Sequence, residues 1–147
     1  MTENRVRYAD ARTPQSIELT TGPAMTSPLD GIRIIDLTAV ISGPLATMML
    51  ADQGAEVIKV ENPASGDFTR QAANRQGGFS ASFLNNNRNK KSVALNLKEQ
   101  RGIEALLKLV ASADVLIQNF RPGVIERMGL GEEELRRVAP DLIMVSI

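Results

Sequence analysis

The stretch "GIRIIDLTAVISGPLATMMLADQGAEVIKVE", residues 31–61, decides the fold. Residues 32–38 form a β-branched apolar run and read as a strand. Residues 43–54 read as a helix with Pro44 in its first turn, where a missing N–H costs nothing, and Gly54 as its stop. Residues 55–61 are the next strand. The unit is β-α-β, and its strands read as apolar rather than alternating, the pattern of a parallel sheet covered on both faces.

The same rhythm continues downstream. "SVALNL" (92–97) is a third strand, and "KEQRGIEALLKLVASA" (98–113) a helix with Ile103, Leu106, Leu107 and Val110 at helical spacing and a Glu104–Lys108 pair expected on its outer face. "DVLIQNF" (114–120) is a fourth strand, and "RPGVIERMGLG" (121–131) a loop or short helix. "EEELRRVAP" (132–140) is a helix with acids first and arginines last, matching its dipole, and "DLIMVSI" (141–147) a fifth strand. The fold class is therefore α/β, a Rossmann-like doubly wound parallel sheet that is cut off after its fifth strand. Between the second and third strands, residues 62–91 show no clear periodicity; about thirty residues is long for a loop, and such loops usually cover a site.

Residues 1–28 show no apolar periodicity and read as a disordered leader or an over-extended start, with Met25 an alternative initiator; residues 29–147 carry the fold. Lys+Arg and Asp+Glu are both 17 in a chain of 147 residues, so no global field points to nucleic acid or to an anionic membrane surface, and any anion site must be local. The chain has neither Cys nor His, which removes disulfides, thiolate zinc sites, Cys nucleophiles and the commonest general base and metal ligand. No metal is expected. No apolar run approaches the roughly 18 residues of a membrane span, and no signal-peptide core precedes the fold. A cytoplasmic protein is the expectation.

In an open parallel sheet, ligands bind beyond the carboxyl ends of the strands. There the sequence places "AVISGP" leading into a helix N-terminus, then Glu61 and Asn62, then Asn96 and Lys98, then Asn119, Phe120 and Arg121, with Arg127 a little further on. Cations, amides and one aromatic on a single edge suit a phosphorylated nucleotide. The first turn holds Gly43 followed by Pro44 instead of G-x-G-x-x-G, which disfavours NAD; Glu61, placed like a ribose-binding acid, is the one feature in its favour. No P-loop motif occurs.

Four segments, "PLDGIRIIDLTAVISGPLATMMLADQGAEVIKVENPASGDFTR", "FLNNNRNKKSVALNLKEQRG", "ADVLIQNFRPGVIERMGLG" and "PDLIMVSI", resemble in order and spacing the amino-terminal part of class III CoA-transferases of the formyl-CoA and carnitine type. The resemblance implies a CoA-binding Rossmann-like domain, an interlocked homodimer, and an acyl-CoA and a small carboxylic acid as substrates. It implies that residues around Leu95, Asn96, Leu97 and Lys98 hold the adenosine-phosphate end of CoA, that Arg127 pairs with a phosphate, and that Met128 packs beside the nucleotide. Asn119, Phe120 and Arg121 would line the same groove, and Ile41 would stand near the thioester. Ile41 replaces a Gln, and Asn62 an Arg, of the formyl-CoA type. In that family an Asp attacks the acyl-CoA carbonyl, and in the related acyl-CoA racemases a His/Asp pair moves the α-proton; both sets lie downstream of Ile147. No catalytic residue is therefore expected within the chain, which alone is expected to be inactive, and Asp67 in "GDFTR" reads as structural. A stand-alone CoA-binding module is the alternative from a different class.

Overall fold

The central strand of the molecule is β1 (Arg33–Asp36), and every other element can be placed from it. The structure, a computed structural model, describes residues 27–72 and 75–147, so the leader expected at residues 1–28 lies almost wholly outside the described residues. After β1 come α1 (Ser42–Asp52) and β2 (Glu56–Glu61), then a 3-10 turn (Phe68–Gln71) and a small hairpin of β3 (Arg75–Gln76) and β4 (Phe79–Ser80). The chain continues through α2 (Ala81–Asn87), β5 (Lys90–Ala94), α3 (Gln100–Val110) and β6 (Val115–Gln118). It closes with α4 (Val124–Arg127), α5 (Glu132–Val138) and β7 (Ile143–Ser146). The five-stranded sheet runs β5-β2-β1-β6-β7 and all its pairings are parallel. Strand order reverses at β1, between β2 and β6, which is where a doubly wound sheet opens a crevice at its carboxyl edge.

Side chains alternate across this sheet, so its two faces have separate cores. Ile35, Leu37, Val60 and Leu116 point to one face and pack against Ile103, Leu106 and Val110 of α3 and Leu135 of α5. Ile34, Val57 and Ile117 point to the other and meet Ala51 of α1. On that second face the next residues along the strands are Asp36 and Lys59, both essentially inaccessible to solvent.

Two glycines fix the β1–α1–β2 corner. Gly54 stands at φ +99°, a left-handed conformation that ends α1 at small cost only without a Cβ. Gly43 packs so closely on Thr38 that an added Cβ would lie 2.3 Å from the threonine Cβ. The loop leaving β1 and the first turn of α1 therefore share one tight space.

Three expectations are corrected. The long segment after β2 is not a structureless loop: Asp67 caps the 3-10 turn by accepting from the Thr69 N–H, and Ser80 caps α2 by accepting from the Phe83 N–H at 3.3 Å. Both elements are too short and polar to show a periodicity. The third sheet strand begins two residues early, at Lys90, because the Lys90 amine is buried and finds three oxygen acceptors there. On α3, Glu104 accepts a hydrogen bond from Gln100 at 3.2 Å and forms no ion pair with Lys108.

Candidate functional site

A pocket of about 200 Å³ opens at the carboxyl edge, over the ends of β1 and β2 and the segments that follow β5, β6 and α4. One wall is apolar, built by Leu37, Val60, Leu95, Leu97, Phe120 and Met128. The other is polar, with Lys59, Glu61 and Asp67 behind Thr38, Ala39 and Gly66. Lys98, exposed, stands at its lining with the first residues of the α3 approach.

The polar wall is a closed network of opposite charges. Asp36 takes hydrogen bonds from the Thr38 N–H and hydroxyl on one oxygen, and from the Thr47 hydroxyl and the Lys90 ammonium on the other, the latter at 3.0 Å. Lys59 donates to the Thr38 carbonyl at 2.8 Å and lies 2.9 Å from Asp67 Oδ2. That oxygen receives no hydrogen bond of good geometry and depends on the Lys59 charge, while Asp67 Oδ1 accepts from the Thr69 N–H and hydroxyl. Glu61 is gripped by the Arg70 fork through two contacts of 2.7 Å, and also accepts from the Asp67 N–H and the Ser92 hydroxyl. Arg70 in turn lies over the Phe83 ring, 3.8 Å from its centroid.

Protonation follows from these contacts. Burial pushes the Glu61 carboxyl up, but Arg70, the Asp67 N–H and Ser92 together outweigh it and hold it below the usual carboxylate range. Burial likewise pushes Asp67 up, and the hydrogen bonds from Thr69 with the Lys59 charge bring it below. For Lys90 burial wins: its ammonium is easier to deprotonate than in water despite Asp36 beside it.

The sheet brings five of the ten expected ligand residues together, since Leu95, Leu97, Lys98, Phe120 and Met128 all line the pocket. The other five stand around it in different roles. The Asn96 side chain donates to Glu99 at 2.7 Å and accepts from the Lys98 N–H, a local turn that starts α3. Asn119 spends its side-chain amide on the Ala39 backbone. Ile41 is the exposed residue before α1, and Arg121 and Arg127 are exposed on the segment after β6. Glu61 is not free to receive a ribose hydroxyl, because Arg70, Ser92 and the Asp67 N–H occupy its carboxylate. Asp67 pairs with Lys59, and Arg70 with Glu61.

Sequence reasoning passed over Asp36, Lys59 and Lys90. For Asp36 and Lys59 the available signal was a charge inside an apolar strand, in "IIDL" and "VIKVE", because a charge in a buried strand demands a partner. Among the described residues there is no cluster of three or more metal-ligating side chains, and no helix is long and apolar enough to cross a membrane.

Strand order and the crevice at the reversal point define a doubly wound α/β domain with a half-apolar, half-charged pocket at its carboxyl edge. The chain belongs to CoA-transferase family III, whose family model matches residues 29–147. It is 49% identical over 124 residues to a succinyl-CoA:glutarate CoA-transferase of Mus musculus, covering 82% of this chain and 28% of the relative. It is 45% identical over 124 residues to a formyl-CoA:oxalate CoA-transferase of Afipia carboxidovorans, covering 84% and 29%. Among solved structures, a CAIB/BAIF family protein from Brucella suis superposes with a TM-score of 0.77 at 38% identity, covering 82% of this chain and 33% of that one. The Mycobacterium tuberculosis protein Rv3272 does so with a TM-score of 0.75 at 44% identity, with the same coverage. The chain thus spans less than a third of the length of the two curated relatives.

Proposed function

We propose that these residues form the CoA-binding wall of an enzyme that moves CoA between an acyl-CoA and a small carboxylic acid. The observation that carries this reading is the pocket at the strand-order reversal, where an apolar wall and the exposed ammonium of Lys98 share one opening. An adenine ring and the pantetheine arm suit Leu95, Leu97, Phe120 and Met128, while Lys98 suits a phosphate as a point charge. Arg121 and Arg127, exposed after β6, would meet the outer phosphates, and Asn96 would contribute through the turn that sets Lys98. Ile41 would border the acyl end.

In this reading transfer passes through an aspartyl-linked acyl intermediate, with the attacking carboxylate supplied by residues other than those described. The buried carboxylates beside the pocket support that division of labour: Asp36, Glu61 and Asp67 are each committed to a cation and to hydrogen bonds, which leaves a poor nucleophile. A homodimer belongs to the proposal. Its support is the run Ile41, Leu45 and Met49, exposed along one side of α1 and available for a protein cover.

Titration calorimetry with CoA tests the reading directly. The chain should bind CoA, and Lys98→Ala should weaken binding by about 1.5–3 kcal/mol, the range of a charge-assisted hydrogen bond. Arg127→Ala should cost less, because that side chain lies outside the pocket lining whereas Lys98 is part of it. Absence of CoA binding, or equal affinity after Lys98→Ala, overturns the assignment.

A further inference from the structure

Of the described residues other than glycine, only Val40 and Asn89 have positive φ, at 75° and 61°. Asn tolerates the left-handed region, but for a β-branched residue it is a true outlier, because the Cβ crowds the backbone. Such a conformation persists only where its surroundings hold it. Three neighbouring residues of the loop after β1 are each held by a buried or half-buried side chain. Lys59 donates to the Thr38 carbonyl at 2.8 Å. Asn119 accepts from the Ala39 N–H at 3.0 Å and donates to the Ala39 carbonyl at 2.8 Å. The Val40 N–H approaches Asp67 Oδ1 at 3.4 Å.

The Asn119 contact has the form of a β-bridge made by a side chain. Backbone pairing between β1 and β6 ends with the Leu37 N–H on the Ile117 carbonyl at 2.9 Å. Two residues further along each chain, the Asn119 amide offers one donor and one acceptor to the same residue, Ala39, and so prolongs the pairing beyond the sheet. Asp could accept there but not donate, and Ala could do neither. The resemblance gave Asn119 and Ile41 separate ligand roles, whereas the geometry joins them. With one donor and one acceptor committed to Ala39, the amide is oriented toward the loop that carries Val40 and Ile41.

We propose that Asn119 is a positioning residue: its side-chain amide locks Ala39, and thereby Val40 in its left-handed conformation, so that the loop after β1 forms the pocket wall against which CoA binds. The consequence for CoA rests on the function proposed above; the clamp itself does not.

The test is a double-substitution cycle on the chain with two readouts. In the ligand-free protein, hydrogen exchange followed by NMR at the Ala39 amide should accelerate at least tenfold in Asn119→Ala, and by a smaller factor in the isosteric Asn119→Asp, which keeps the acceptor. CoA affinity should fall about tenfold in Asn119→Ala. In a Val40→Gly background, where the positive φ carries no Cβ penalty, the same change should cost less than threefold. An Ala39 amide that exchanges equally in both proteins overturns the clamp. An equal loss of affinity in both backgrounds makes Asn119 a direct ligand and overturns the positioning role. If the unsubstituted chain binds no CoA, the proposed function falls and with it the consequence for CoA, while the exchange measurement still decides the clamp.

Discussion

The two faces of the sheet solve the same burial problem in opposite ways. Toward α3 and α5 the strands present Ile35, Leu37, Val60 and Leu116, and the core there is hydrocarbon. Toward α1 and α2 the amino ends of β1, β2 and β6 are equally apolar, with Ile34, Val57 and Ile117, but further along β1 and β2 come Asp36, Lys59 and Glu61, which meet Lys90 and Ser92 of β5. Three carboxylates meet three cations there, as Asp36–Lys90, Asp67–Lys59 and Glu61–Arg70. Buried ion pairs are weak evidence for stability, since desolvation consumes most of their attraction. What the network does secure is position: Lys59–Asp67 and Glu61–Arg70 tie β2 to the segment that follows it, which bounds the pocket, and Asp36–Lys90 ties β1 to β5. The apolar face makes the sheet cohere, and the charged face fixes the geometry of its edge.

Removing one partner from the charged face should have the largest effect. Asp36→Ala leaves the Lys90 ammonium buried and unpaired and takes away the acceptor of Thr38 and Thr47, and should cost about 3–5 kcal/mol in urea unfolding. The double change Asp36→Val with Lys90→Met should cost less than the single one, because no lone charge remains. A double variant worse than Asp36→Ala would show that the pair stabilises the fold in its own right. On the apolar face, Ile35→Val removes one methyl from a fully buried site and should cost about 0.5–1.5 kcal/mol, with CoA affinity unchanged. A loss of affinity there would mean that the two faces are coupled.

This contrast also explains what could be read from the sequence. The parallel sheet follows from apolar strands at regular spacing, which record the hydrocarbon cores, while its strand order comes from the structure. Of the apolar wall, Phe120 follows from the strand pattern, whereas Leu95, Leu97 and Met128 are legible only through the family resemblance. The polar wall follows from neither. Its contacts join residues far apart in the chain, such as Asp36 with Lys90 and Ala39 with Asn119, and no periodicity encodes such pairings. The helix α2 was hidden for a related reason: Asn86 and Asn87 are its buried residues, so its inward side looks like a loop.

The smallest expected effect is the most specific to the charged face, because it depends on titration. Glu61 and Asp67 both have carboxyls held below their ordinary range, so between the folded and unfolded values the native state binds fewer protons than the unfolded chain. Their contribution to stability is therefore complete above the unfolded value, about pH 4, and is lost as pH falls through the folded values. Unfolding free energy should decline from pH 6 to pH 3. Glu61→Gln should lower stability at pH 6 yet reduce the slope below pH 4, because one of the responsible protons is gone. Glu56 is a competing source: hydrogen bonds from Lys91 and Arg33 lower it as well, but that cluster is at the surface. Repeating the titration at high salt separates the two, since an exposed cluster is screened and a buried one far less. A slope that survives high salt in the unsubstituted chain and shrinks in Glu61→Gln would place the acid sensitivity in the pocket wall, whereas a slope abolished by salt would place it at Glu56 and leave the charged face without a titrating role.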